Sequence, residues 1–396
     1  MVRSRATELV HSAPAPPPPT SGSNSTPGTL HHYTNRHVLF EYSPSNSSGT
    51  NSVKPHSLLF IGGLGDGLGT VEYVSDIVAA LDSTEWSLFS PILSSSYDGW
   101  GMGGLAQDVR EMALCVEYIL GYKRRSGHAG TRIVVMGHST GSQDVMQYIS
   151  APNPLHGELR SHCSAKSSLA KSSCFSAQDR GFTPRTTTVT RPRVDGAIIQ
   201  APVSDREAIR WVLREGNKRH SPEELQKWFA EAVKRAQKHT FEDYHSLDTI
   251  VPLPATASLG FPASTPISSR RFLSLASPGS PQDPSEDDLF SSDLTDDNLR
   301  ATFGAISGRG VLKSKLLVLY SGRDETVPPW VDKVSLLRRW QRATDAHQPV
   351  WHAQSGIISG ATHTLAGPGQ VEARKILVRK LIGFLRDITN SPNSGR

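Results

Sequence analysis

Five residues, Gly137-His138-Ser139-Thr140-Gly141, directly follow an apolar run rich in β-branched side chains at residues 133–136. Residues 145–149 then carry apolar side chains at helical spacing, so the pentapeptide joins a predicted strand to a predicted helix. A Gly-x-Ser-x-Gly sequence in this setting is typical of a strained turn that holds a serine hydroxyl out of a sheet. Taken alone, the pentapeptide is also compatible with an ordinary turn that connects a strand to a helix and has no catalytic role. The flanking strand and helix favour Ser139 as a nucleophile, and a serine hydrolase as the class.

Strand-like and helix-like stretches alternate along the chain. This alternation predicts a mainly parallel sheet with helices on both faces, which is the α/β-hydrolase type of α/β fold. One predicted helix is expected to stop at Gly121. The predicted strands are 38–42, 58–61, 86–93, 133–136, 196–200 and 316–320, and the predicted helices are 72–81, 105–120 and 370–385.

Composition divides the 396 residues into one domain and several low-complexity parts. Hydrophobic residues make up only 37% of a chain with 27 prolines, so part of it is expected outside the core. We predict a disordered Pro-rich tail at 1–30 and a single domain at 31–390, interrupted by a low-complexity insertion at 152–192 and a cap insertion at 204–310. Within the cap, helices are predicted at 207–214 and 222–237, and the acidic segment 277–297 is expected to be a mobile loop.

A serine nucleophile needs a base, and the base needs a carboxylate that orients it. In this fold the three residues follow one another in the order Ser, then Asp or Glu, then His. Asp324 lies just past the predicted strand 316–320, on a glycine-containing turn at the carboxyl edge of the sheet. We predict Asp324 as the orienting acid. Glu325 is the local competitor, and an Asp that only stabilises the turn is the alternative role.

The predicted base is His363. It lies in the segment 360–364, after the last strand-like run and before the last predicted helix, which is where this fold carries its histidine. His352 is the competitor, but it sits inside the strand-like run 350–352. His138, inside the turn itself, is predicted to pack beside the nucleophile.

Two backbone amides are needed to bind the oxyanion that forms during acyl transfer. Thr140, the residue after the nucleophile, is the first predicted donor. The second comes from the glycine-rich stretch 61–67, where either Leu64 or Gly63 would donate, and Leu64 is our choice. This stretch fits neither a dinucleotide loop nor a Walker loop, so Asp66 is predicted to brace the loop.

Several other functions lack a sequence signal. Neither a cofactor nor a metal site is predicted, because no His-Glu-x-x-His and no paired Cys-x-x-Cys occurs. The net charge of +5 comes without a nucleic-acid-binding module, and no membrane span is predicted. Three cysteines do not make a disulfide framework, which favours a cytoplasmic protein. The expected partner is a small-molecule ester, and the oligomeric state is left open.

Together these residues resemble a family of mainly fungal and plant α/β hydrolases catalogued as domain of unknown function 1749. The matching stretches are 60–68, 137–144, 200–207 and the segments around Asp324 and His363. The extension of the turn to Ser-Thr-Gly-x-Gln-Asp is more specific than the turn alone. The resemblance implies a Ser-His-Asp triad, a cytosolic site and an esterase acting on siderophores of the fusarinine C type, since the best-understood members are fungal siderophore esterases.

Three hypotheses follow from the sequence. The first is a serine esterase that hydrolyses a hydroxamate siderophore and so helps to release iron inside the cell. The second is a serine hydrolase acting on another ester or thioester. The third is a non-catalytic protein that keeps the fold for binding, against which the complete triad argues.

Overall fold

A sheet of eight strands forms the centre of the computed structural model, which describes residues 25–43, 53–154, 189–241 and 249–391. Its order across these described residues is β1-β2-β4-β3-β5-β6-β7-β8. The strands are β1 Gly28–His32, β2 Val38–Tyr42, β3 His56–Ile61, β4 Trp86–Pro91, β5 Ile133–His138, β6 Val194–Gln200, β7 Leu312–Ser321 and β8 Gly356–Ile358.

Most of the sheet is parallel. From β4 to β8 every neighbouring pair runs parallel, whereas β1 pairs with β2 and β2 with β4 in antiparallel register. Strands β3, β5 and β6 are buried along their whole length, as expected for parallel strands covered on both faces. The carboxyl ends of β5 and β7 therefore meet at one edge of the sheet, where the predicted site residues follow.

Helices cover both faces of the sheet. Apolar side chains of α2, α3 and α10 belong to one core cluster, and those of α1 and α11 belong to the other. The helices are α1 Val74–Leu81, α2 Leu105–Arg125, α3 Gly141–Ser150, α4 Asp205–Glu215, α5 Pro222–Phe241, α6 Leu253–Ser258, α7 Ser269–Ala276, α8 Asp296–Ala301, α9 Ile306–Arg309, α10 Lys333–Thr344 and α11 Val371–Asn390.

A third, smaller core lies in the cap. Trp100, Ile267 and Phe272 belong to it, together with apolar side chains of α4 and α5. The side chain of Leu64 packs against this cluster from the glycine-rich loop that follows β3. The cap is thus joined by apolar contacts to the loop in which an oxyanion donor is predicted.

The six predicted strands are confirmed, but β1 and β8 were not predicted. The tail predicted at 1–30 is wrong for residues 28–30, because Gly28–His32 pairs with β2 at the sheet edge. Only His31 is buried in this strand, so it lacks the apolar alternation that identifies a strand in a sequence. Short edge strands with polar side chains are common because they discourage pairing with other chains.

Helix α2 runs past Gly121, where it was predicted to stop. A glycine inside a helix costs about 1 kcal/mol relative to alanine. The next turn offsets this cost, since Tyr122 Oη and Lys123 Nζ donate hydrogen bonds to Glu41 of β2 at 3.2 and 3.1 Å. Tertiary contacts thus extend the helix to Arg125.

The acidic segment 277–297, predicted to be a mobile loop, is packed into the core. Leu289 and Phe290 belong to the main core, and Asp287 and Asp288 are buried. Asp288 accepts hydrogen bonds from the hydroxyls of two serines of the same segment, at positions 280 and 291. The serines and acids give this segment a composition typical of disorder, but inside the cap they form hydrogen bonds with one another.

Two predictions concern residues outside the described ranges. These are the Pro-rich tail over residues 1–24 and the low-complexity insertion over residues 155–188. Within the described ranges, no helix combines the length and the apolar character that a membrane crossing requires.

Candidate active site

Ser139 sits in a strained turn between β5 and α3. Its φ angle is 55°, in the left-handed region that non-glycine residues rarely adopt. A Cβ on Gly137 would lie 2.0 Å from the carbonyl oxygen of Gly141, and one on Gly141 would lie 2.4 Å from that of Ile61. Both glycines are therefore required where the strand, the turn and the helix cross.

The structure brings together the three side chains predicted as a triad. His363 Nε2 lies 2.8 Å from Ser139 Oγ, and His363 Nδ1 lies 2.8 Å from Asp324 Oδ2. All three side chains are buried. Asp324 follows β7 and His363 follows β8, so both reach Ser139 from the carboxyl edge of the sheet.

The negative charge of Asp324 and the positive charge of a protonated His363 stabilise each other. Burial alone would raise the pKa of Asp324, but the charge of His363 and hydrogen bonds from His363 and Thr326 hold that pKa below its usual range. Burial would lower the pKa of His363, but the charge and hydrogen bond of Asp324 raise it above its usual value. The arrangement thus favours an imidazolium next to a carboxylate, which is the ion pair formed when a histidine takes a proton from serine.

The two competing residues lie elsewhere. Glu325 Oε2 accepts a hydrogen bond from the backbone amide of His363 at 2.9 Å, so it supports the histidine loop. His352 Nε2 lies 3.1 Å from Asp387 Oδ2 of α11. His363 is accordingly the residue that bonds to Ser139, and Asp324 bonds to the other ring nitrogen of His363.

The loop after β3 closes over the nucleophile turn. Gly63 N donates a hydrogen bond to Asp66 Oδ2 at 2.8 Å, so this amide already has an acceptor. The bond confirms the predicted role of Asp66 in bracing the loop. Of the two predicted donors in this loop, Leu64 is the better candidate, because Gly63 is already bonded. In the part of the chain that the structure describes, neither the Leu64 nor the Thr140 amide donates to a protein acceptor.

A buried polar group beneath the site was not predicted. His138 Nδ1 donates to Gln200 Oε1 at 2.5 Å, and Tyr73 Oη donates to the same oxygen at 3.0 Å. Burial lowers the pKa of His138, so this ring packs neutral beside His363, with 5.3 Å between the ring centroids. Gln200 ends the strand next to β5 and opens the family stretch 200–207, and these two signals could have identified it.

A cleft of about 520 Å³, including solvent at its mouth, lies beside the predicted oxyanion donors. Gly63, Leu64 and Thr140 line it, and so do Asp108 of α2 and Asp144 of α3. Sequence reasoning missed these two acids as lining residues, although Asp144 closes the specific extension of the turn motif. No cluster of three His, Cys, Asp or Glu side chains in the described ranges could hold a metal ion.

The family described as protein of unknown function (DUF1749) matches residues 21–386, nearly the whole chain. The chain belongs to the DUF1749 family. Esterase AN6793 of Emericella nidulans is 57% identical to this DUF1749 protein over 382 residues, which are 95% of this chain and 96% of the relative. Fusarinine C esterase sidJ of Aspergillus fumigatus is 48% identical over 364 residues, which are 91% and 95% of the two chains.

A solved structure resembles this DUF1749 protein over almost its full length. Siderophore hydrolase EstB from Aspergillus fumigatus superposes with a TM-score of 0.76 at 46% identity, covering 93% of this chain and 99% of that one. The predicted α/β-hydrolase fold and the predicted family are both confirmed. The DUF1749 protein is a carboxylic ester hydrolase.

Proposed function

We propose that this chain is a serine esterase that hydrolyses ester bonds of a hydroxamate siderophore of the fusarinine C type, and so releases iron inside the cell. The observation that carries the mechanism is the hydrogen-bonded series from Ser139 through His363 to Asp324, with 2.8 Å at each step. The substrate class is supported by the relatives named as a fusarinine C esterase and a siderophore hydrolase, at 48% and 46% identity.

The reaction would proceed through an acyl-enzyme. Ser139 Oγ attacks the ester carbonyl while His363 Nε2 takes the hydroxyl proton. Asp324 orients the imidazole and stabilises its charge. The Leu64 and Thr140 amides bind the developing oxyanion. His363 then returns the proton to the leaving alcohol, and a water molecule, activated by the same histidine, hydrolyses the acyl-enzyme.

The direct test is hydrolysis of ferric and iron-free fusarinine C by the purified protein, followed by mass spectrometry. We expect release of monomers by the wild-type protein, and a loss of about 10⁴-fold or more in the Ser139→Ala variant. Ser75→Ala is the matched control, because within the described ranges its hydroxyl bonds only to the carbonyl of Glu72, at the start of α1. This control should keep wild-type turnover.

The outcomes separate substrate from mechanism. No monomer release, with Ser139 still labelled by a fluorophosphonate, would reject the siderophore and leave another ester or thioester as substrate. Full activity of Ser139→Ala would reject the mechanism. No labelling at all would instead favour a binding protein with this fold.

We also place this activity in the cytosol. The support is the small number of cysteines, three in the whole chain, and the unpaired, buried thiol of Cys115. Fractionation of cells that produce the protein tests the location. Recovery of the protein with the secreted fraction would contradict it.

A further inference from the structure

The cleft beside the predicted oxyanion donors contains acids that the triad does not use. Asp108 and Asp144 line it together with Thr140 and Arg271. Asp108 and Asp144 are only 3% and 6% exposed. These side chains come from α2 and α3, which pack on the same face of the sheet, so the fold itself places the two carboxyls at one cleft.

Both acids have an oxygen without a hydrogen-bond partner. Among the described residues, Oδ1 of Asp108 and Oδ1 of Asp144 accept no hydrogen bond, and the hydroxyl of Thr140 is also unpaired. A buried polar atom without a partner costs about 1–3 kcal/mol, and more when it is charged. Two such oxygens, on side chains that line one cleft, suit a ligand that supplies hydrogen-bond donors.

The charge balance of the cleft favours a cation. Arg271 is buried at the same cleft, but its Nη1 donates to both oxygens of Asp287, at 2.7 and 2.6 Å. The charge of Arg271 also lowers the pKa of Asp108 and Asp144, so a single guanidinium is shared among three buried acids, and acids outnumber cations at this cleft. Burial raises the pKa of Asp108 to about 7, and burial together with Asp108 raises the pKa of Asp144 well above its usual value, so the free cleft disfavours two ionised carboxyls. A cation bound there would favour the ionised form of both.

We propose that Asp108 and Asp144 form a subsite for a cationic, hydrogen-bond-donating part of the substrate, an alkylammonium group near the scissile ester. An ammonium carries three N–H donors and one positive charge, which matches two unpaired carboxyl oxygens and a hydroxyl. A substrate carboxylate at the same place would be repelled, so the subsite also selects against anionic esters. This inference rests on the proposed esterase activity of Ser139.

Competition with a minimal ligand tests the subsite in the intact wild-type protein. Hydrolysis of p-nitrophenyl acetate is measured with n-butylammonium chloride, with 1-butanol as the neutral isostere, and with sodium chloride at the same ionic strength. We expect the inhibition constant of butylammonium to be at least about tenfold below that of 1-butanol. Equal inhibition by the two, or inhibition by neither, would overturn the proposal and indicate a cleft that holds only water.

Variants assign the effect to the two acids. Asp108→Asn and Asp144→Asn keep the side-chain shape and should bring the two inhibition constants to within about threefold of each other. Asp283→Asn removes one charge at an exposed position of the cap and should keep the wild-type difference. A wild-type difference that survives both cleft variants would also overturn the proposal. If a cleft variant does not fold, the wild-type comparison still decides whether a cation binds.

Calorimetry separates this subsite from the proposed reaction. Butylammonium and butanol are titrated into the wild-type protein without a substrate. Selective binding of butylammonium, combined with no hydrolysis of any ester and no labelling of Ser139, would reject the esterase mechanism and keep the cation site. Ester hydrolysis without selective binding of butylammonium would reject the cation site and keep the esterase mechanism.

Discussion

Gly63 lies directly against Ser139. A Cβ built on Gly63 would be 2.6 Å from Ser139 Cβ and 3.1 Å from Ser139 Oγ. The loop after β3 thus approaches the nucleophile more closely than any side chain would allow. The same loop carries Leu64, whose side chain packs on the cap core, so the position of the proposed oxyanion donor depends on this contact.

Replacing Gly63 by alanine should therefore impair catalysis more than folding. The added methyl must displace either the loop or the Ser139 side chain, and a misplacement of about 1 Å can cost about 100-fold in rate. The measurement is kcat/KM on p-nitrophenyl acetate together with the thermal unfolding midpoint. Gly130→Ala is the control, because a Cβ there meets no atom within 4 Å. Equal kcat/KM for the two variants would contradict the assignment of this loop.

Replacing His363 and His352 in turn by glutamine shows which of the two histidines is the catalytic base. His363→Gln removes the group that lies 2.8 Å from Ser139 Oγ and should lower kcat by about 10⁴-fold or more. His352→Gln changes a contact with the exposed Asp387 and should leave kcat within about threefold of the wild type. Rapid kinetics with a chromogenic ester measure both. Loss of activity in His352→Gln alone would make His352 the base.

The orienting acid predicts a pH effect with a definite sign. His363 must be neutral to accept a proton, so kcat/KM should rise with pH through a pKa above the ordinary 6.5. Asp324 raises that pKa against the effect of burial. Asp324→Asn should therefore move the acidic limb of the profile to lower pH, while kcat falls by about 10⁴-fold.

Glu325→Gln is the matched control for this profile. Glu325 also raises the pKa of His363, but its contribution ranks below that of Asp324, and glutamine can still accept the hydrogen bond from the His363 amide. The acidic limb should move less than in Asp324→Asn, and kcat should stay near the wild-type value. A larger change in Glu325→Gln than in Asp324→Asn would exchange the roles of the two residues.

The sequence predicts the parts of the fold that depend on local pattern. Continuous apolar runs identify the buried parallel strands, and the Gly-x-Ser-x-Gly turn locates Ser139 at the end of one of them. The order of Ser139, Asp324 and His363 along the chain then selects the two partners. Each of these predictions rests on neighbouring residues or on the order of elements along the chain.

The remainder depends on contacts between distant residues. Segment 277–297 has the composition of a loop, yet Asp287 is buried because Arg271, sixteen positions earlier, pairs with it. Strand β1 has one buried side chain and no alternation, so only its pairing with β2 identifies it. Asp108 and Asp144 share a cleft because two helices pack on one face of the sheet, which a single sequence does not reveal.

Two lysine ion pairs have the same N–O distance, but we expect replacement of the two lysines to change the stability of the protein by very different amounts. Lys123 Nζ lies 3.1 Å from Glu41 Oε1, and Lys313 Nζ lies 3.1 Å from Asp195 Oδ1, but the side chains of the lysines are 0% and 30% exposed. Removing one partner of a buried pair leaves the other charge without compensation. Lys123→Met should therefore lower the free energy of unfolding by about 3 kcal/mol.

Lys313→Met should lower the free energy of unfolding by at most about 1 kcal/mol, because the Lys313–Asp195 pair is partly exposed and solvent screens it. Asp195 keeps its hydrogen bond from the Ile133 amide at 2.9 Å, and Glu41 keeps the one from Tyr122 Oη at 3.2 Å, so the two variants differ mainly in how deeply the lost cation is buried. Urea unfolding of both variants and the wild-type protein measures the difference. Equal losses would mean that burial does not set the contribution of the Lys123–Glu41 pair, and that the extension of α2 past Gly121 has another cause.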